Sequence, residues 1–129
     1  MFNREKKNFT KEYESYNKIL SINEYESCFL FKTIDLTSRD TVFIISIKKQ
    51  YYEDLFFKKP FDEDLRLMNL NDKVKFITRN ALFRGNTLGL PVKSVIIKND
   101  TIWQGNMNIN PDIYISMNSI GLYVKNNEE

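Results

Sequence analysis

The fold class of this chain is decided by residues 27–51, which read SCFLFKTIDLTSRDTVFIISIKKQY. Two runs rich in aromatic and β-branched residues, 27–35 and 41–51, flank the turn-forming segment LTSRD, a pattern that predicts an antiparallel hairpin. The second run is apolar on both of its alternating faces, with Phe43, Ile45 and Ile47 on one face and Val42 and Ile44 on the other. Such a strand is typical of a sheet interior that is covered on both sides.

Further strands are predicted after this hairpin. Residues 72–79 (DKVKFITR) place Val74 and Phe76 on one face and Lys73, Lys75 and Arg79 on the other, with Ile77 among them. Residues 80–91 have the composition of a loop, and Asn99-Asp100 forms a tight turn. Strand-like segments follow the loop at 92–98, 101–103, 113–117 and 120–124. Five to seven short strands predict a mainly β fold, a small OB-like barrel or curled antiparallel sheet, with a two-layer α+β sheet as the alternative.

Two segments carry helical signals. Phe9, Tyr13, Tyr16 and Leu20 recur at the spacing of one helical face, and Thr10 is a candidate N-cap. This spacing predicts an N-terminal helix over residues 1–20, which packs on the domain or, alternatively, binds a partner. Residues 53–71 lose the strand alternation, and the acidic run at 62–64 predicts a short helix at 62–68 or a long structured loop.

The chain is expected to form a single domain across residues 1–129. Its 129 residues are 42% hydrophobic and 14% aromatic, which is too apolar for a disordered chain. The β-rich core is predicted over 24–125, and the tail at 126–129 is predicted to fray.

The composition excludes several kinds of chemistry and location. Histidine is absent, which removes the commonest general base, the Ser-His and Cys-His nucleophile pairs and the usual zinc sites. Cys28 is the single cysteine, as expected for a buried residue in a reducing compartment. Neither a membrane span of about 20 apolar residues nor a secretory signal is visible. We therefore expect a cytoplasmic protein that is not an enzyme, with no catalytic residue, metal, cofactor or membrane partner.

Charge is unevenly distributed along the chain although the total is only +2. Residues 1–71 contain twelve basic and twelve acidic side chains. Residues 72–98 contain six basic side chains against Asp72, a net charge of +5, and residues 99–129 have a net charge of −3. The basic excess therefore lies in one strand-loop-strand unit.

This basic unit predicts a nucleic-acid site. Its cations are candidate phosphate ligands, and an aromatic ring in the loop is a candidate base-stacking platform. The predicted site consists of Lys73, Lys75, Arg79, Arg84 and Lys93 for phosphates, Phe83 for stacking, and Tyr51 and Trp103 as further rings. An ordinary solvated strand face is the alternative interpretation. A second cluster interleaves basic and aromatic residues at 48–52 and 56–59, where the rings are favoured as core.

The order of these segments resembles a known group of proteins. A hairpin at 28–35 and 41–48 precedes the strand DKVKFITR, a glycine-containing loop, and a strand that ends in the acidic turn NDTI at 99–102. Across residues 27–103 this resembles the small accessory DNA-processing proteins of integrative and conjugative elements, including helicase-processivity factors. The resemblance implies an OB-like fold and single-stranded DNA handling beside a helicase or relaxase. The aromatic segment at 9–20 departs from that pattern.

Two functions are compatible with these observations. The first is a non-enzymatic, single-stranded DNA-binding or RNA-binding accessory module of a replication or conjugation machinery on a mobile genetic element. The alternative is a protein-interaction module, such as an inhibitor or assembly factor of a phage or plasmid. The aromatic N-terminal segment and the near-neutral total charge favour the alternative.

Overall fold

A computed structural model of the protein describes residues 11–80, 94–97, 100–104 and 113–125. Ten strands and one helix lie in these ranges. In chain order they are β1 (Tyr13–Glu24), β2 (Cys28–Asp35), β3 (Thr41–Ile47), α1 (Lys49–Phe56), β4 (Leu65–Leu67), β5 (Lys73–Asn80), β6 (Ser94–Ile97), β7 (Asp100–Gln104), β8 (Ile113–Ser116), β9 (Ser119–Ile120) and β10 (Tyr123–Lys125).

Five of the strands close into a barrel in the order β1-β2-β3-β8-β5, with β5 paired back to β1. The pairs are antiparallel except for β3 and β8, which run parallel. A small sheet of β4, β10 and β9 and a two-stranded sheet of β6 and β7 complete the described strands. The prediction of a mainly β fold built on a small OB-like barrel is therefore confirmed.

The barrel interior is filled by the inward side chains of alternate strand positions. Ile19, Phe31, Ile44, Val74 and Phe76 are buried there in one apolar cluster. The rings of Phe31 and Phe76 lie 6.1 Å apart across this core. Because strand side chains alternate between faces, the same strands present their other residues to the outside.

The outer face of β2 and β3 is covered by α1. Cys28, Leu30, Ile45 and Ile47 are buried on this face, and Tyr51, Leu55 and Phe56 pack against them. The expectation that β3 is covered on both sides is confirmed, because the barrel interior lies on one side and the helix on the other. Cys28 is a buried cysteine, as the sequence indicated.

The predicted N-terminal helix is wrong for the part of the segment that the structure describes. Residues Tyr13–Glu24 form strand β1, which pairs with both β2 and β5. Tyr16 and Leu20, assigned to a buried helical face, are 57% and 42% exposed. Hydrogen bonding and packing on both sides of this strand outweigh the helical spacing of its aromatic residues, because local helix propensity contributes little free energy. Phe9 and Thr10 lie outside the described residues.

The helix predicted at 62–68 is also wrong. The helix lies at Lys49–Phe56, and Leu65–Leu67 form strand β4. The strand predicted at 41–51 consequently ends at Ile47. Residues 49–56 become helical because Tyr51 and Leu55, four residues apart, both pack on the outer apolar cluster.

The later strands agree with the sequence interpretation in their positions. β5, β6, β7 and β8 match the segments predicted from residue 72 onward, and β6 pairs with β7 as an antiparallel hairpin. The strand predicted at 120–124 is divided into β9 and β10 at Gly121, whose φ is +58°. Asn80, assigned to the predicted loop at 80–91, is the last residue of β5. The rest of that loop and the tail at 126–129 lie outside the described residues.

Candidate nucleic-acid interface

The three predicted cations of β5 share the outer face of the barrel, but two of them have acidic partners. The ammonium of Lys75 lies 3.7 Å from a carboxylate oxygen of Glu14, and the guanidinium of Arg79 lies 3.3 Å from that of Glu12. Glu14 is on the neighbouring strand β1, and Glu12 directly precedes that strand. Exposed ion pairs of this kind contribute about 1 kcal/mol or less, so an incoming phosphate can compete with them. They nevertheless lower the net positive charge of the strip.

The remaining predicted residues fall into two groups. Tyr51 belongs to α1, where it is half-buried against the outer apolar cluster and donates a hydrogen bond of 3.1 Å to Glu26. Its ring is therefore used in packing and is not a free stacking platform. Trp103 lies in β7 opposite Val95. Phe83, Arg84 and Lys93 lie outside the described residues.

The second predicted cluster is divided between core and surface. Tyr52 is fully buried and Phe56 is half-buried, as expected for core rings. Phe57, also assigned to the core, is 88% exposed because it ends α1 in the left-handed conformation with a φ of +57°. Lys48 forms an ion pair of 2.7 Å with Glu24.

A pair that the sequence interpretation did not identify lies on the outer face of β2 and β3, at the edge of the part that α1 covers. Lys32 and Phe43 are directly opposite each other, with Lys32 exposed and Phe43 half-buried. Phe43 packs on the cluster beneath α1, which holds its ring in place on the strand opposite Lys32. A positioned ring beside a cation is the arrangement with which proteins bind single-stranded nucleic acid.

A second row of outward side chains runs beside this pair. Lys73 of β5 lies opposite Lys18 of β1, and Lys18 lies opposite Ile34 of β2. Two like charges directly opposite each other on adjacent strands are unfavourable unless an anion lies between them. We call the four side chains Lys18, Lys32, Phe43 and Lys73 the lysine face.

The signal for the lysine face was present in the hairpin. Residues 36–40 connect β2 to β3, so the strand register follows from the loop and places Lys32 against Phe43. The contribution of Lys18 was hidden because residues 13–20 carry helical spacing. A further ring, Tyr16, is exposed on β1 opposite Lys75 and extends the same surface.

Within the described residues, no three histidine, cysteine or carboxylate side chains are placed to hold a metal ion. The acidic run at Asp62, Glu63 and Asp64 is exposed. The helix within the described residues is too short to cross a membrane.

Comparison of the chain with protein-family models, with curated proteins and with solved structures finds no match. The resemblance to DNA-processing proteins of conjugative elements therefore stays a prediction.

Proposed function

We propose that this chain is a non-enzymatic, single-stranded nucleic-acid-binding module, which works as an accessory factor beside a helicase or relaxase in replication or conjugation. The observation that carries the proposal is the direct pairing of Lys32 with Phe43 on the outer face of β2 and β3. Small OB-like barrels bind oligonucleotides on the outer face of their second and third strands. A fold alone does not give a function, so the side chains on this face carry the proposal.

The lysine face supplies both kinds of contact that single-strand binding needs, which are base stacking and phosphate binding. A base stacks on the exposed part of the Phe43 ring, a contact that contributes about 1–3 kcal/mol per base. Lys18, Lys32 and Lys73 bind backbone phosphates, with Lys75 as a fourth cation when it leaves Glu14. The unfavourable proximity of Lys18 and Lys73 becomes favourable once a phosphate lies between them.

The segment between β5 and β8 is the second part of the proposed site. This segment leaves the barrel after Asn80 and returns at Ile113. Because Arg79 of β5 pairs with Ile115 of β8, both ends of the segment lie close to Arg79. In OB-like barrels the connection between the last two barrel strands contributes to oligonucleotide binding. Phe83, Arg84, Lys93 and Trp103 lie in this segment and stay in the proposed site.

Fluorescence anisotropy with labelled oligo-dT, oligo-U and a matched duplex, each over a salt series, tests the proposal. Three to four phosphate contacts predict a slope of log affinity against log salt of about −2 to −3 for a single strand. The paired change Lys58→Gln and Lys59→Gln removes two exposed lysines outside the lysine face and serves as the charge control. Absence of binding to all three probes at low salt would exclude the proposed function.

A second candidate function is protein recruitment, which a different surface favours. Leu67 of β4 and Tyr123 of β10 are directly paired and are 44% and 47% exposed, and Leu70 nearby in the chain is 55% exposed. Adjacent exposed apolar side chains mark interaction surfaces. The paired change Leu67→Lys and Tyr123→Lys should abolish capture of a protein partner while oligonucleotide affinity is retained. Retained capture would contradict this assignment.

A further inference from the structure

One end of the barrel contains a cavity of about 260 Å³, which is separate from the lysine face. It opens beside the loop that joins β2 to β3, and its inner wall includes Val42 and Ile44. This volume is somewhat below the range of about 300–1,000 Å³ typical of drug-sized sites, so a small ligand fits it.

The barrel interior becomes polar towards this cavity. In place of the aliphatic and aromatic side chains of the core, the inward positions there are Ser15, Asn17, Thr33 and Thr78. Ser15 donates a hydrogen bond of 2.6 Å to Asn17, and the Asn17 amide donates one of 2.9 Å to Thr33. Thr33 in turn donates to the carbonyl of Val42. A barrel that only needed to be packed would carry apolar side chains at these positions.

Thr78 is the member of this polar group whose side chain has no hydrogen-bond partner among the described residues. It is 4% exposed and lines the cavity, and its hydroxyl makes no hydrogen bond within the part of the chain that the structure describes. A hydroxyl that opens into a cavity can donate one hydrogen bond and accept others, so it can bind a polar ligand there.

The charge and the rings around the cavity define the chemistry of that ligand. Three carboxylates, those of Glu14, Asp35 and Asp40, line it. Asp35 is held in place by the backbone amides of Thr37 and Ser38, which donate to one of its oxygens. Three negative charges around one small opening favour a cationic ligand.

Two aromatic rings complete the lining. Tyr13 and Tyr114 meet edge to face, with their centroids 6.1 Å apart. Aromatic faces attract ammonium groups, and the ammonium of Lys11 already lies 5.4 Å from the centroid of Tyr13. Lys11 and Lys75, which pairs with Glu14, offset part of the negative charge.

We propose that this cavity binds a primary alkylammonium group, with the carboxylates and tyrosine rings around the charge and the Thr78 hydroxyl accepting a hydrogen bond from it. Such a group is present at the end of a free polyamine and at the end of a lysine side chain on a partner protein. The site does not depend on the proposed nucleic-acid function, because none of the lysine face lines it.

The test is a titration of the ¹⁵N-labelled full chain, followed by amide chemical shifts. The probes are putrescine and Nα-acetyl-lysine methylamide, and 1,4-butanediol is the uncharged control of the same chain length as putrescine. We expect saturable shifts around Ser15, Thr78 and Tyr114 with one or both ammonium probes and none with the diol. Binding of putrescine alone indicates a polyamine site, and binding of the lysine analogue alone indicates a partner side chain.

Substitutions locate the binding. Asp40 is exposed, so Asp40→Asn should fold normally and raise the dissociation constant at least five-fold. Thr78→Val should raise it similarly. Thr78→Ser, which keeps the hydroxyl, should bind with the affinity of the natural protein. Asp62→Asn removes an exposed carboxylate outside the cavity lining and should change nothing. Shifts that do not saturate, equal shifts with the diol, or unchanged affinity in both Asp40→Asn and Thr78→Val would overturn the proposal.

Discussion

Lys32 and Phe43 lie directly opposite each other on β2 and β3, with both side chains on the outer face of the barrel. The ring is fixed from below because Phe43 packs on the cluster that α1 covers. A fixed ring loses little conformational freedom when a base stacks on it, so more of the contact energy contributes to affinity.

Phe43→Leu should therefore weaken oligo-dT binding by about 5- to 150-fold, since about 1–3 kcal/mol of stacking is lost. Leucine keeps the apolar contact with the cluster, so the fold should be retained. Lys32→Gln should flatten the salt slope by about 0.7 because one phosphate contact is lost. Anisotropy over a salt series measures both effects. Tyr123→Leu, an exposed ring on another surface, is the matched control. Equal affinity for the Phe43 and Tyr123 variants would place the site elsewhere.

Two acids at the N-terminal end of β1, one on the strand and one directly before it, lower the net positive charge of β5. Glu12 and Glu14 are paired with Arg79 and Lys75, so their removal frees two cations for phosphate. Glu12→Gln with Glu14→Gln should raise oligonucleotide affinity several-fold at low salt and steepen the salt slope. Glu63→Gln, an exposed change with the same chemistry, should leave both unchanged. A decrease in affinity for the double variant would contradict the participation of β5.

The sequence predicted those strands whose local residue pattern agrees with their pairing in the barrel. The β2–β3 hairpin was predicted because turn residues separate two runs rich in aromatic and β-branched residues, and β5 was predicted because its apolar and polar residues alternate at period two. Residues 13–20 were misassigned because Tyr13, Tyr16 and Leu20 match a helical period, and only the pairing with β5 and β2 decides otherwise. A local pattern cannot reveal a neighbour that lies more than fifty residues away in the chain.

The candidate site also depends on neighbours that are distant in the sequence and that local patterns could not reveal. Lys73, Lys75 and Arg79 were assigned correctly to one face of a strand, but their partners Glu12 and Glu14 come from a segment predicted to be helical. The cavity end of the barrel was not predicted. Its lining combines residues of β1, β3, β5 and β8, which adjoin one another only after the barrel closes.

Tyr52 is buried with a hydroxyl that has no hydrogen-bond partner within the described residues. An unpaired buried hydroxyl costs about 1–3 kcal/mol, so Tyr52→Phe should raise the free energy of unfolding by about 1 kcal/mol at neutral pH. Urea denaturation measures it. The exposed Tyr123→Phe is the control and should have no effect. If Tyr52→Phe is instead less stable at neutral pH, the Tyr52 hydroxyl makes a stabilising hydrogen bond.

The same residue predicts a pH dependence. Burial raises the pKa of Tyr52 above its ordinary value of 10.0. Below that value both the folded and the unfolded chain hold the proton, and Tyr52 contributes no pH dependence. Above it the unfolded chain loses the proton first, so the free energy of unfolding falls as pH rises. The advantage of Tyr52→Phe over the natural protein should therefore grow above pH 10.0, and a constant difference would contradict the burial argument.

Asn118 continues the sheet beyond the end of β8 with its side chain. Its amide nitrogen donates to the carbonyl of Lys75 at 2.9 Å, and its amide oxygen accepts from the backbone N–H of Ile77 at 3.0 Å. The residue is 6% exposed, so water cannot easily replace these bonds. Asn118→Ala should lower the free energy of unfolding by about 2–4 kcal/mol, because two backbone groups of β5 lose their partner.

Urea denaturation of Asn118→Ala beside Asn23→Ala, an exposed asparagine on β1, measures this cost. Amide exchange at Ile77 should also accelerate in the Asn118 variant, because that N–H loses its acceptor. An Asn118→Asp variant keeps the acceptor for Ile77 but loses the donor to Lys75, so it should protect Ile77 and still be less stable than the natural protein. Unchanged exchange at Ile77 in Asn118→Ala would show that β5 is held by other contacts at this position.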